Sequence, residues 1–127
     1  MKSEKYSGQF KQDQFHGNGV HVNEAGDIYD GEFEYGKKHG LGNLQLTYKP
    51  AKGEEGGIDY PISLSFLGEF KSGKYDGQGQ IKIEPMNNEE KLKDFHRYRM
   101  LYNGSFVGGK RDGHGEMYWN TKVEEQK

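Results

Sequence analysis

No cysteine occurs among the 127 residues, which removes disulfide frameworks and thiolate chemistry and makes a reducing, cytoplasmic setting the expectation. The opening residues, Met1-Lys-Ser-Glu-Lys-Tyr6, hold no apolar stretch of the kind a signal peptide or membrane span requires. Positive charge is not in excess: 18 Lys and Arg stand against 20 Asp and Glu, mixed along the chain, for a net charge of −2. The basic footprint of a nucleic-acid binder is therefore missing. Apolar residues are scarce too, at 31%, while glycine fills 20 positions, and glycine buries almost nothing. A thick two-layer core is not expected from such a chain. Charged residues at 30% and a mean hydropathy of −1.12 would suit a disordered polymer. Disordered chains are poor in aromatics, however, and here nine Tyr, seven Phe and Trp119 recur at ordered intervals.

Those intervals form an internal repeat. Tyr6-Ser-Gly8-Gln-Phe10 leads to His16-Gly17-Asn-Gly19, and Tyr29-Asp-Gly31-Glu-Phe33 leads to His39-Gly40-Leu-Gly42. Phe66-Leu-Gly68-Glu-Phe70 leads to Asp76-Gly77-Gln-Gly79, and Tyr102-Asn-Gly104-Ser-Phe106 leads to Asp112-Gly113-His-Gly115. Counted from the first aromatic, the landmarks fall at +2, +4, +11 and +13 in all four copies. The aromatic, the glycine and the Phe share one parity, and the paired glycines share one parity after them, so each copy reads as two short strands with one common face. Gly36, Gly73 and Gly109 stand at +7 as turn residues, with Asp13 in their place in the first copy. Glycine normally weakens a strand. Its recurrence at +2, +11 and +13 predicts positions where an aromatic ring lies flat on the backbone.

This pattern resembles the MORN repeat, whose usual form is Tyr-x-Gly-x-aromatic followed, past a turn, by Gly-Lys-x-His-Gly-x-Gly. Gly36-Lys-Lys-His39-Gly40-Leu-Gly42 and Gly109-Lys-Arg-Asp112-Gly113-His-Gly115 carry the resemblance best, and the four units span residues 6 to 119. Departures are visible. The first unit has His21 and Asn23 where the last has Met117 and Trp119, and the third opens with Phe66 and has Asp76 for the usual His. The resemblance implies an array of β-hairpins used for protein or membrane attachment, and it names no reaction and no cofactor. Its small stand-alone members also suggest the cytoskeleton, particularly cilia and flagella, as the setting.

The expected fold is all-β: residues 1–127 form a single domain, an elongated single-layer antiparallel sheet of stacked hairpins with repeats starting near 6, 29, 66 and 102. The first two starts are 23 residues apart, whereas the next two intervals are 37 and 36. Two insertions, at about 49–62 and 85–98, account for the difference. Leu44, Leu46 and Tyr48 alternate outward, and Ile58, Tyr60, Ile62, Leu64 and Phe66 alternate back, around the turn-rich tip Lys49 to Gly57. Pro61 lies on the opposite parity, where an edge strand accommodates it. The second insertion repeats the plan with Ile81 and Ile83, then His96, Tyr98, Met100 and Tyr102, and with Phe95, Arg97, Arg99 and Leu101 on the other face. Its tip, Pro85 to Lys93, reads as an extended hairpin or as a helical turn, since Glu89, Glu90, Leu92 and Lys93 form helices well.

Such a sheet carries a strip of rings with no second layer in the sequence to cover it. The candidate partner-binding residues are Tyr6, Phe10, Tyr29, Phe33, Phe66, Phe70, Tyr102 and Phe106, with Met117 and Trp119 at the end. One reading has the rings packed on one another and on the glycines; the other has their exposed edges form a groove for an extended or helical segment of a protein partner, and the two are compatible. A stack also needs covered ends, and only Met1 to Lys5 and Asn120 to Lys127 lie outside the repeats, so neighbouring chains are expected to finish both terminal strands. The function expected is a non-catalytic adaptor in a larger assembly. The alternative is anionic lipid, drawn to a basic turn edge of Lys37, Lys38, Lys71, Lys74, Lys110 and Arg111, with Lys37, Lys38, Lys110 and Arg111 as its leading residues. Other chemistry finds no support. His16, His39, Asp76 and Asp112 recur on hairpins about 9.6 Å apart, too far to share a metal ion. They are read instead as polar residues closing each turn. Gly17-Asn-Gly19 and Gly77-Gln-Gly79 precede strands and lack a following Gly-Lys-Ser/Thr, so they are not phosphate loops. Ser7, Ser65, Ser72 and Ser105 sit in no nucleophile motif.

Overall fold

The structure, a computed structural model, describes residues 3–48, 61–85 and 99–120. Eight strands follow one another: β1 (Lys5–Lys11), β2 (Gln14–Val22), β3 (Ile28–Glu34), β4 (Lys37–Tyr48), β5 (Ile62–Lys71), β6 (Lys74–Pro85), β7 (Arg99–Val107) and β8 (Lys110–Asn120). They form one open sheet in the order β1 to β8, every neighbour antiparallel. There is no helix among the described residues. This is the all-β, single-layer array of hairpins that the repeat implies.

Each repeat is one hairpin because each contains a tight turn of two left-handed residues. Gln12 and Asp13 have φ of 52° and 67°, and Ser72 and Gly73 have 50° and 88°. Tyr35-Gly36 and Gly108-Gly109 are alike. Two consecutive positive φ values define the type I′ turn, whose twist matches that of the strands it joins. Glycine or aspartate at the second position carries that conformation at low cost.

Beyond each turn the hairpin holds a bulge. Gly8 lies opposite Gly19 and Phe10 opposite Phe15, so Gln9 alone faces His16, Gly17 and Asn18. The other three hairpins have the same irregularity. The third landmark glycine sits inside the bulge with positive φ: 65° at Gly17, 85° at Gly40, 107° at Gly77 and 89° at Gly113. These glycines are needed for a left-handed residue that lets three residues span the room of one, and not, as expected, to lie beneath a ring. The +3 side chain completes the device: Gln9 Oε1 accepts the N–H of Asn18 at 2.8 Å, and Glu32 and Glu69 accept those of Leu41 and Gln78, each at 3.3 Å.

The remaining landmark glycines align across the whole sheet. Gly8, Gly19, Gly31, Gly42, Gly68, Gly79, Gly104 and Gly115 are paired neighbour to neighbour, one per strand. At the +13 members a Cβ would land within the ring of the repeat's own first aromatic: Tyr6 over Gly19, Tyr29 over Gly42, Phe66 over Gly79 and Tyr102 over Gly115. Here the expectation of rings lying on bare backbone is met.

The insertions lengthen the sheet on the ring face. Leu44, Leu46 and Tyr48 pair with Phe66, Leu64 and Ile62, and Ile81 and Ile83 pair with Tyr102 and Met100. Pro61 precedes β5, and Pro85 ends β6, so neither interrupts a ladder. The tip read from Lys49 to Gly57 and, apart from Pro85, the tip read from Pro85 to Lys93, together with Ile58, Tyr60, Phe95, His96, Arg97 and Tyr98, lie outside the described residues.

Candidate functional site

The ring face is built by an edge-to-face relay. Within each repeat the first aromatic meets the Phe four residues on, with centroids 5.0 Å apart in Tyr6–Phe10, 4.9 Å in Tyr29–Phe33, and 5.1 Å in both Phe66–Phe70 and Tyr102–Phe106. Between repeats the first aromatic meets the next repeat's Phe: Tyr6–Phe33 at 5.4 Å, Tyr29–Phe70 at 5.1 Å and Phe66–Phe106 at 5.3 Å. Eight rings thus form one unbroken zigzag, each contact in the geometry that ring quadrupoles favour. The relay covers itself. Tyr29, Phe33, Phe66, Phe70, Ile81, Tyr102 and Phe106 are buried without a second layer above them.

The residue at +9 lies over the first aromatic and alternates in kind. Phe15 stacks on Tyr6 at 3.8 Å and Tyr75 on Phe66 at 3.9 Å. Lys38 Nζ stands 5.5 Å from the Tyr29 centroid and the Arg111 guanidinium 5.8 Å from that of Tyr102, within cation–π range. Three tyrosine hydroxyls are tied down at the bulge, Tyr6 donating to the Gln9 carbonyl at 2.7 Å, Tyr29 to Glu32 at 2.8 Å and Tyr102 to Ser105 at 3.0 Å. Burial pushes the Tyr29 hydroxyl up to about 12, against a smaller lowering from its bond to the Glu32 backbone. Burial likewise raises Tyr75, whereas the exposed Tyr118 is raised mainly by its hydrogen bond to Glu116.

Repeats are also stitched at their turns. Gly36 N–H donates to the Phe15 carbonyl at 3.1 Å, Gly73 to Lys38 at 2.9 Å and Gly109 to Tyr75 at 2.8 Å. His39 Nδ1 accepts from Ser72 N–H at 3.5 Å, and Asp76 Oδ1 from Gly108 N–H at 3.3 Å. The polar residue at +10, expected to close its own turn, therefore serves the turn of the next repeat. Among the described residues, no group of three or more metal-ligating side chains gathers.

The ten residues expected to bind a partner divide by exposure. Tyr29, Phe33, Phe66, Phe70, Tyr102 and Phe106 belong to the buried relay, Tyr6 and Met117 are half-buried, and Phe10 and Trp119 are 60% and 61% exposed. The four basic residues divide as well. Lys37 and Lys110 begin strands at the turn edge, in one row with Lys74 and Gln14, while Lys38 and Arg111 turn over the rings. Among the described residues, two clefts line the ring face, one of about 250 Å³ bordered by Lys38, Leu44, Phe70 and Tyr75 and one of about 280 Å³ by Leu46, Tyr48, Ile62 and Leu64. Another, of about 230 Å³, is bordered chiefly by residues of the opposite face, Lys82, Glu84, Arg99, Leu101 and Tyr118. The covering role of Phe15 and Tyr75 and the bulge role of Gln9, Glu32 and Glu69 were missed in the sequence, although both recur at fixed offsets.

Sequentially paired hairpins with a glycine line and a ring relay define an open repeat array. The sequence model of the MORN repeat matches residues 6–27, 29–46, 66–82 and 102–122, together more than half of the chain. The chain belongs to the MORN repeat family, whose repeats are generally protein- or membrane-interaction modules and are generally non-catalytic. No curated protein matches it.

Proposed function

We propose that the chain is a non-catalytic adaptor that receives a segment of a protein partner along its ring face and so holds that partner within a larger assembly. The observation that carries this reading is the pair of clefts on one face, lined by aliphatic and aromatic side chains, on a face that also bears exposed Phe10 and Trp119 at its two ends. Exposed rings give large contact area at small entropic cost. The buried relay holds the face rigid, and the partner's contacts come from the cleft walls and the exposed rings. The lack of cysteine favours a reducing, cytoplasmic setting, and family resemblance favours the cytoskeleton of cilia or flagella within it.

The test is affinity purification of the tagged chain from its own cells with Trp119→Ser and Met100→Ser, the folded state being checked by circular dichroism. Loss of a stoichiometric partner from the folded variant supports the reading, and retention of every partner overturns it. The row of Lys37, Lys74 and Lys110 favours the second reading, anionic membrane binding at the turn edge. That reading expects liposome affinity that falls when these lysines are neutralised and when salt is raised.

A further inference from the structure

The two edges of the sheet present complementary halves of a joint that occurs three times inside the molecule. At each internal joint the +11, +13 and +15 residues of one repeat pair with the +4, +2 and first residues of the next, as in Gly17 with Phe33, Gly19 with Gly31 and His21 with Tyr29. The joints at β4–β5 and β6–β7 repeat this register. Burial records what each joint covers. Phe33, Phe70 and Phe106 are 5%, 3% and 2% exposed, but Phe10, which has no preceding repeat among the described residues, is 60% exposed. On the other edge, Gly19, Gly42 and Gly79 are buried and His39, Asp76 and Gly77 half-buried, whereas Gly115, Asp112 and Gly113 on β8 are all exposed.

We propose that a second copy of this chain docks head to tail, its β1 adding to β8 in the register of the internal joints. Phe10 of one copy then meets Tyr102 of the other, as Phe33 meets Tyr6, and the ring relay and glycine line run on across the joint. Asp13 N–H reaches the Arg111 carbonyl and Gln12 N–H the Asp112 carboxylate, the stitches that Gly73 and Ser72 make to Lys38 and His39. Charge is complementary, since the same register sets Lys11 opposite Asp112 and Lys5 beside Glu116. Such a contact is heterologous and leaves an unused edge at each end of the pair, so further copies add head to tail. The joint shares Phe10 with the surface proposed for a partner, whereas Lys11 and Asp112 belong to the joint alone, so the charge exchange tests it independently of the ring face.

Sedimentation velocity of the full chain over a wide dilution series tests it. The expected result is a ladder of species that grows with concentration. Phe10→Ala weakens the association about tenfold, the worth of one edge-to-face pair. Lys11→Asp and Asp112→Lys each weaken it several-fold, and mixing the two variants, or combining both changes in one chain, restores it. Circular dichroism verifies that each variant is folded. A monomer at every concentration overturns the proposal, as does a closed dimer indifferent to the charge changes or a failure of the mixture to recover.

Discussion

The first hairpin and the third carry the same landmarks and differ in what surrounds them. In the third, Phe66 is fully covered and Phe70 is 3% exposed, Phe70 touching Tyr29 of the preceding repeat and Phe66 touching Phe106 of the following one. In the first, Tyr6 is half-buried and Phe10 mostly exposed, although the turn, the bulge and the stacked +9 ring are all in place. The difference teaches that a repeat's local geometry is encoded within it, while burial is supplied by its neighbours. Stability in such an array is a sum of hairpin and joint terms, and the joints make the larger contribution to the inner repeats.

The comparison can be broken most forcefully at the matched Phe positions. Phe70→Ala is expected to cost about 4 kcal/mol and Phe10→Ala about 1 kcal/mol, read as the shift of the urea midpoint at unchanged slope. Equal costs would mean that the joints do not govern ring burial.

A second contrast concerns Tyr29. Its hydroxyl holds its proton up to about 12 in the fold, whereas the unfolded chain releases it near the ordinary value of 10. Between these pH values the unfolded state binds fewer protons, so the stability contribution is full below pH 10 and is lost as pH rises through 12. The loss approaches about 3 kcal/mol for two pH units. Urea unfolding at pH 8 and pH 11.5 is expected to show a smaller alkaline drop in Tyr29→Phe than in the natural chain.

The smallest effect separates the third repeat from the other three. Phe66 has no hydroxyl to donate to the bulge, while Tyr6, Tyr29 and Tyr102 each do. Phe66→Tyr is therefore expected to gain about 1 kcal/mol, one net hydrogen bond, in thermal and chemical unfolding.

The hairpins, their turns and the rings on bare backbone were legible from spacing alone, because parity survives every step from Tyr6 to Gly19. The bulge was not legible for that same reason. Setting His16, Gly17 and Asn18 against Gln9 adds two residues, an even number, and leaves the alternation intact. A glycine that needs a left-handed backbone, such as Gly17, then looks identical in sequence to one that lies under a ring, such as Gly19. That the rings pack on one another was one of the two readings the sequence offered, but which rings meet was not legible, since Tyr29 reaches Phe70 across an insertion. Likewise, the +10 residues were visible as a polar series, but their service to the following turn appears only when consecutive repeats are set side by side.

The strict order of the strands has a consequence for how the molecule is made. Every strand pairs only with the one synthesised just before or just after it, and each turn's Gly N–H seeks a carbonyl already in place in the preceding repeat. Among the described residues, no strand emerging from a ribosome waits for a distant segment. The protein can be laid down like courses of brick, each hairpin seated on a finished one, and loop closure over long stretches of chain never becomes the slow step.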